Sequence, residues 1–152
     1  MNLKLDNAAF NKILVLFWAL WWLIAFWTDV TGGLAHLGLL KATWAPDGNF
    51  PFLVASLKIY HVPLLVPTVF FMLILTWSLV STVAFLWAAA ALTQAREIWV
   101  DRARMAYIIS LSFWLAFFLA DQFVFKFDLE ENHMVQGGFE LLTLFALYIL
   151  PF

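Results

Sequence analysis

Three histidines, His36, His61 and His133, stand in a chain without cysteine. With the carboxylates Asp29, Asp121 and Glu140 they are the side chains whose types could do chemistry. Imidazole and carboxylate without thiolate suit zinc, copper or non-haem iron. The metal-ligand candidates are therefore His36, His61, His133, Asp29 and Asp121. No pair is read as having the i, i+4 spacing of an HExxH helix or the ExxH pattern of di-iron bundles. A shared haem pocket and ordinary loop polarity are the competing readings. There is no nucleophile–base order, no glycine-rich phosphate cradle and no dinucleotide fingerprint, so no catalytic residue is assigned. The cofactor stays open among a metal, haem and quinone.

These groups must be positioned by elements that the composition identifies. Of 152 residues, 65% are hydrophobic and 12% charged. A soluble domain carries about 25% charged residues, and one of this size could not bury so much apolar surface. The net charge of −2, with no basic patch, excludes a nucleic-acid partner. The bilayer is the expected solvent, and an all-α polytopic membrane bundle the expected fold.

The longest uncharged run extends from Val62 to Ala95. About 20 apolar residues cross a bilayer core. The apolar runs predict one domain over residues 1–152 with four spans, at about 9–30, 64–92, 104–122 and 134–152. Lys4 and Lys12 precede the first span, and without a small-residue cleavage pattern it reads as a retained helix. Its Trp18, Trp21, Trp22 and Trp27 spread around the helix, which predicts lipid contact and interfacial anchoring; a stacked wall for a quinone or pigment is the alternative. Residues 30–61 read as a long outer connection, with a turn at Pro46-Asp47-Gly48-Asn49. Within it, FPFLVASLKIYHV is too short to cross and is expected at the membrane surface or packed on the bundle.

Small residues allow close helix approach where the hydrophobic effect is absent. Ala84, Ala88 and Ala91 form one such stripe, Ser112, Ala116 and Ala120 another, and the two are expected to dock. Ser78, Ser81 and Thr82 lie mid-span, where hydroxyls bond back to carbonyls one turn earlier; a polar ligand contact is the alternative for Ser78. Glu140 lies about two turns into the fourth span. A carboxylate there is costly, so it should face the bundle and bond Gln122, Ser112 or a partner's helix, or else serve a proton relay or ligand. Asp121 is expected to pair with Lys126 or Lys58.

Lys4, Lys12, Arg96, Arg102 and Arg104 fall on one side of a four-span layout, and Lys41, Lys58 and Lys126 on the other. The positive-inside rule then puts both termini in the cytoplasm. The histidines and most acids, Glu140 included, fall outside. Lys12-Ile13-Leu14-Val15, Asp29, Leu86-Trp87-Ala88-Ala89, Gln136 and Phe139 give the chain a resemblance to a bacterial family of small four-span integral membrane proteins. That resemblance implies the layout and an inner-membrane location, and it assigns no activity. Ser78 stands where the family pattern has an acidic residue.

The expected function is a non-catalytic accessory or structural subunit of a larger membrane complex, such as an energy-transducing oxidoreductase, with the bilayer and other membrane subunits as partners. A quinone-, lipid- or metal-binding module is the alternative. A small enzyme or transporter using Glu140 is the second.

Overall fold

The structure is a computed structural model that describes residues 6–41, 48–124 and 126–150, with backbone only at Phe127 and Asp128. Lys4 and Asp47 lie outside the described residues. The described residues form five α-helices: α1 (Asn7–His36), α2 (Asn49–Leu57), α3 (Leu65–Ala89), α4 (Arg96–Val124) and α5 (Phe127–Ile149). A single 3₁₀ turn, Lys58–Tyr60, follows α2. Three of the helices, α1, α3 and α4, are long and apolar enough to cross a membrane.

The boundaries differ from those expected, for local reasons. Asp6 caps α1 by accepting from the Ala9 N–H at 2.6 Å. Asp29 does not end this helix, because its buried carboxylate accepts from Asn49 Nδ2 at 2.6 Å. The helix runs on to His36, and Gly38, at φ +73°, takes the left-handed turn beyond it. The polar stretch before Arg104, expected as a loop, is instead the first turns of α4. Glu97 favours the start of that helix through its dipole. Trp99, Val100 and Ala103 already face the core there. Polar residues likewise begin α5 at Phe127 rather than near 134.

α1, α3, α4 and α5 alternate in direction. Trp22 meets Thr82, Trp77 meets Ile109, and Arg104 meets Tyr148. At the end where α1 begins, Lys12 lies over the Trp99 ring and Arg102 over Trp87. At the opposite end α2 packs on α1 and α3 through Phe50, which touches His36 and Phe71. The 3₁₀ turn closes at His61 with φ +51°, and the Tyr60 hydroxyl donates to the Phe123 carbonyl, tying this connection to the end of α4.

The core is aromatic on α1 and α4 and small on parts of α3 and α4. Trp18 and Trp22 are buried, contrary to the lipid-facing role expected of them, while Trp27 is exposed. They join Val15, Phe85, Tyr107, Phe113 and Trp114 in one cluster. Ala84, Ala88 and Ala91 are buried as expected, although Ala91 lies just past the end of α3. The second stripe is corrected. Ser112 and Ala116 are only half-buried and Ala120 is exposed. The small residues α4 buries are Ala103, Ala106 and Ser110. Their i, i+3, i+7 spacing follows the face that also carries Trp99 and Tyr107.

Candidate functional site

Glu140 is fully buried in the middle of this bundle. Its Oε1 accepts from the Ser110 hydroxyl, and its Oε2 from the Trp114 indole N–H at 2.7 Å. The Trp22 indole approaches the same carboxyl without meeting hydrogen-bond geometry. One turn on, Thr143 donates to the Glu140 carbonyl at 2.7 Å and accepts from the Trp18 indole at 2.8 Å. Tyr107 places its hydroxyl beside Thr143. A single acidic residue of α5 is thus bound to α4 by its side chain and to α1 through Thr143.

The local sequence explains how the indole reaches. Gly137 precedes Glu140 by one helical turn and lies on the same face. A Cβ at Gly137 would stand 2.9 Å from Trp114 Cβ and 3.1 Å from Trp114 Cγ. The missing side chain is what lets Trp114 lie against α5 and point its N–H at Glu140. At Gly138 a Cβ would meet nothing within 4 Å. The expected partners of Glu140 are corrected: Gln122 donates to Glu130 at 2.7 Å, and Ser112 to the Ile109 carbonyl at 2.6 Å. Glu140 also does not belong with the polar residues of the far end, because its partner Ser110 lies roughly 9 Å along α4 from Arg104, at ~1.5 Å per residue.

That far end holds a second contact. His133 Nδ1 lies 2.5 Å from Asp121 Oδ2, and the His133 ring packs on Trp114 and Phe117. Asp121 therefore pairs with neither Lys126 nor Lys58 through its side chain. Lys126 instead donates its backbone N–H to the Asp121 carbonyl and holds its ammonium over the Phe52 ring. Glu130 and His133 stand at i, i+3, the ExxH spacing of di-metal helix bundles, which sequence reasoning wrongly took to be absent. Glu130 turns to Gln122 and His133 to Asp121.

The metal candidates do not converge. Asp29 joins Asn49, His36 packs on Phe50, His61 is an exposed turn residue, and His133 meets Asp121. Among the described residues no three His, Asp or Glu side chains could together hold a metal ion. Ser78 is buried, and its carbonyl, with that of Trp22, lies within 2.9 Å of the Thr82 hydroxyl. The back-bond expected for Thr82 is present, and it doubles as a link to α1.

Chemically, the Glu140 junction consists of donors that close on a carboxyl. Two open grooves lie on the outside of the bundle. Sequence reasoning found Glu140 but missed Trp114, Ser110, Thr143 and Gly137. The signal that could have found them is a glycine one turn from a buried acid, opposite a helix carrying serine and tryptophan four residues apart.

No family model, curated protein or solved structure matches this chain. The fold defines it as an all-helical protein with three membrane-crossing candidates.

Gly137→Ala should force α5 away from Trp114 and lower stability by about 1–3 kcal/mol. Gly138→Ala should be neutral or stabilising by up to about 1 kcal/mol through helix propensity. Thermal unfolding of both variants in one detergent checks this, and equal effects would contradict the packing.

Proposed function

We propose that this chain is a non-catalytic, four-span subunit that assembles with other membrane proteins in a bacterial inner membrane. The observation that carries the reading is the state of Glu140. An intramembrane carboxylate is a functional site by default, yet here both oxygens are occupied by Ser110 and Trp114 of the neighbouring helix. The interior is spent on joining helices. The outward faces of α1, α3 and α4 are lined with exposed Leu, Ile, Val and Phe, which suits lipid and neighbouring helices.

A fourth crossing by α5 is supported by its path. Its 23 residues rise roughly 35 Å at ~1.5 Å each, against a core of roughly 30 Å. It returns along α4 from the level of Asp121 to that of Arg104. Its most apolar membrane-length stretch is less so than those of the other three because it carries Glu140 and follows an acidic first part. The former is satisfied inside the bundle, and Glu130 and Glu131 lie near the end where headgroups would be. Lys12, Arg96, Arg102 and Arg104 gather at the end where α1 begins, which supports a cytoplasmic position for that end.

The absence of native cysteine makes topology directly measurable. Glu131→Cys in intact cells should react with a membrane-impermeant maleimide, while Gln94→Cys and Leu150→Cys should react only after permeabilisation. Labelling of Leu150→Cys from outside would contradict a fourth crossing. Gentle extraction from native membranes followed by native mass spectrometry should find the chain in a stoichiometric assembly with another membrane protein. A bare monomer that retains no partner would contradict the subunit reading.

A further inference from the structure

Pro51, Val54 and Ala55 of α2, at i, i+3 and i+4, and Lys58, at i+7 in the turn that follows, lie along one side of a groove whose other wall is formed by Val62, Leu64 and Pro67. The groove holds about 470 Å³ and is open along its length. Its walls are apolar except at Lys58, where α2 ends. We propose that it seats one acyl chain of a phospholipid with an anionic headgroup, with the lipid phosphate on the Lys58 ammonium.

Three observations favour a lipid over a protein segment. The first is position. α2 has nine residues and rises only roughly 14 Å, too short to cross a core of about 30 Å. It lies at the end of the bundle marked by Asn49, His61 and Pro63. There it is tied to α1 by Asn49–Asp29, and the connection after it to α4 by Tyr60–Phe123. A helix held at that level lies along the boundary between headgroups and hydrocarbon. The second is continuity. Leu64 in the groove wall and its neighbour Leu65 are among the most exposed apolar residues of the protein, so the groove opens onto the surface that faces lipid tails. The third is charge. Lys58 is the one charged residue lining the groove, and among the described residues it makes no ion pair. Of the acids described at this end of the bundle, Asp29 meets Asn49, Asp121 meets His133 and Glu130 meets Gln122, while Glu131 is exposed on α5. An unpaired cation at the polar end of an apolar channel matches a phosphate at the head of an acyl chain.

The proposal rests on the membrane-spanning reading but not on any partner subunit. The test uses the full chain in detergent, with phosphatidylglycerol or phosphatidylcholine added at equal concentration, read by native mass spectrometry. The expected result is one retained lipid per chain with about a fivefold preference for phosphatidylglycerol, the size of one cation's contribution near a membrane surface. Ala55→Trp places a large side chain at an exposed position in the groove and should abolish retention of either lipid while leaving the thermal unfolding temperature unchanged. Lys58→Gln should keep the bound lipid and reduce the preference to near unity. Retention unaltered by Ala55→Trp, or no headgroup preference in the native chain, would overturn the proposal. So would a dimer that Ala55→Trp dissociates, because the groove would then be covered by a second copy. Failure of the subunit reading would leave the lipid result unchanged, so the two are separable.

Discussion

A carboxyl group that cannot reach water has to be satisfied by the protein around it, and the arrangement of this bundle follows from that need at Glu140. Transferring an unpaired charge into hydrocarbon is among the most costly steps a membrane protein can make. Ser110 and Trp114 meet it from α4, and the approach of Trp114 in turn requires Gly137. The register of α5 against α4 is set by this group of four residues. A shift of one residue would rotate Glu140 by about 100°, away from both donors.

The same logic extends beyond the junction. Hydrophobic burial does little to hold helices together in lipid, where packing and interhelical hydrogen bonds take its place. Indole and phenol groups supply many of those bonds here. Trp18 donates to Thr143 between α1 and α5, Trp77 to the Ile109 carbonyl between α3 and α4, and Tyr60 to the Phe123 carbonyl from the connection after α2. Thr82 reaches the Trp22 carbonyl between α3 and α1. Each such bond is worth roughly 0.6–2 kcal/mol in a membrane, so no single one governs stability. Their distribution over the seams of the four long helices gives the bundle a defined pairing. The cations at the end where α1 begins add a further layer, since Lys12, Arg102 and Arg104 each rest on an aromatic ring.

Much of the architecture was legible from the run between Val62 and Ala95 and from its two apolar neighbours, because length and lack of charge alone mark a crossing. The burial of Ala84 and Ala88 was legible too, since small residues four apart mark a helix contact. Trp18 and Trp22 were misread because an indole has the same composition signal at a lipid interface and in a core; what separates the two is the packing of neighbouring helices over the ring, which residue type does not reveal. Ser112, Ala116 and Ala120 repeat at a helical spacing, yet the stripe carries no information on which face its helix turns inward, and Trp114 and Ser110 decide that. The histidines share one end of the molecule as expected from the span order. Sharing an end did not bring them together, because each is claimed by its own neighbour: Phe50 for His36, Asp121 for His133, and the turn geometry at His61.

The central claim is that the indole of Trp114 and the carboxyl of Glu140 act as one unit holding α5 in the bundle. A double-mutant cycle of Trp114→Phe and Glu140→Leu, read as unfolding free energy in lipid–detergent mixed micelles, measures that unit directly. The account predicts a coupling of at least about 1 kcal/mol, the size of an interhelical hydrogen bond between model peptides in a membrane. Single-mutant effects that add to within about 0.5 kcal/mol would contradict it.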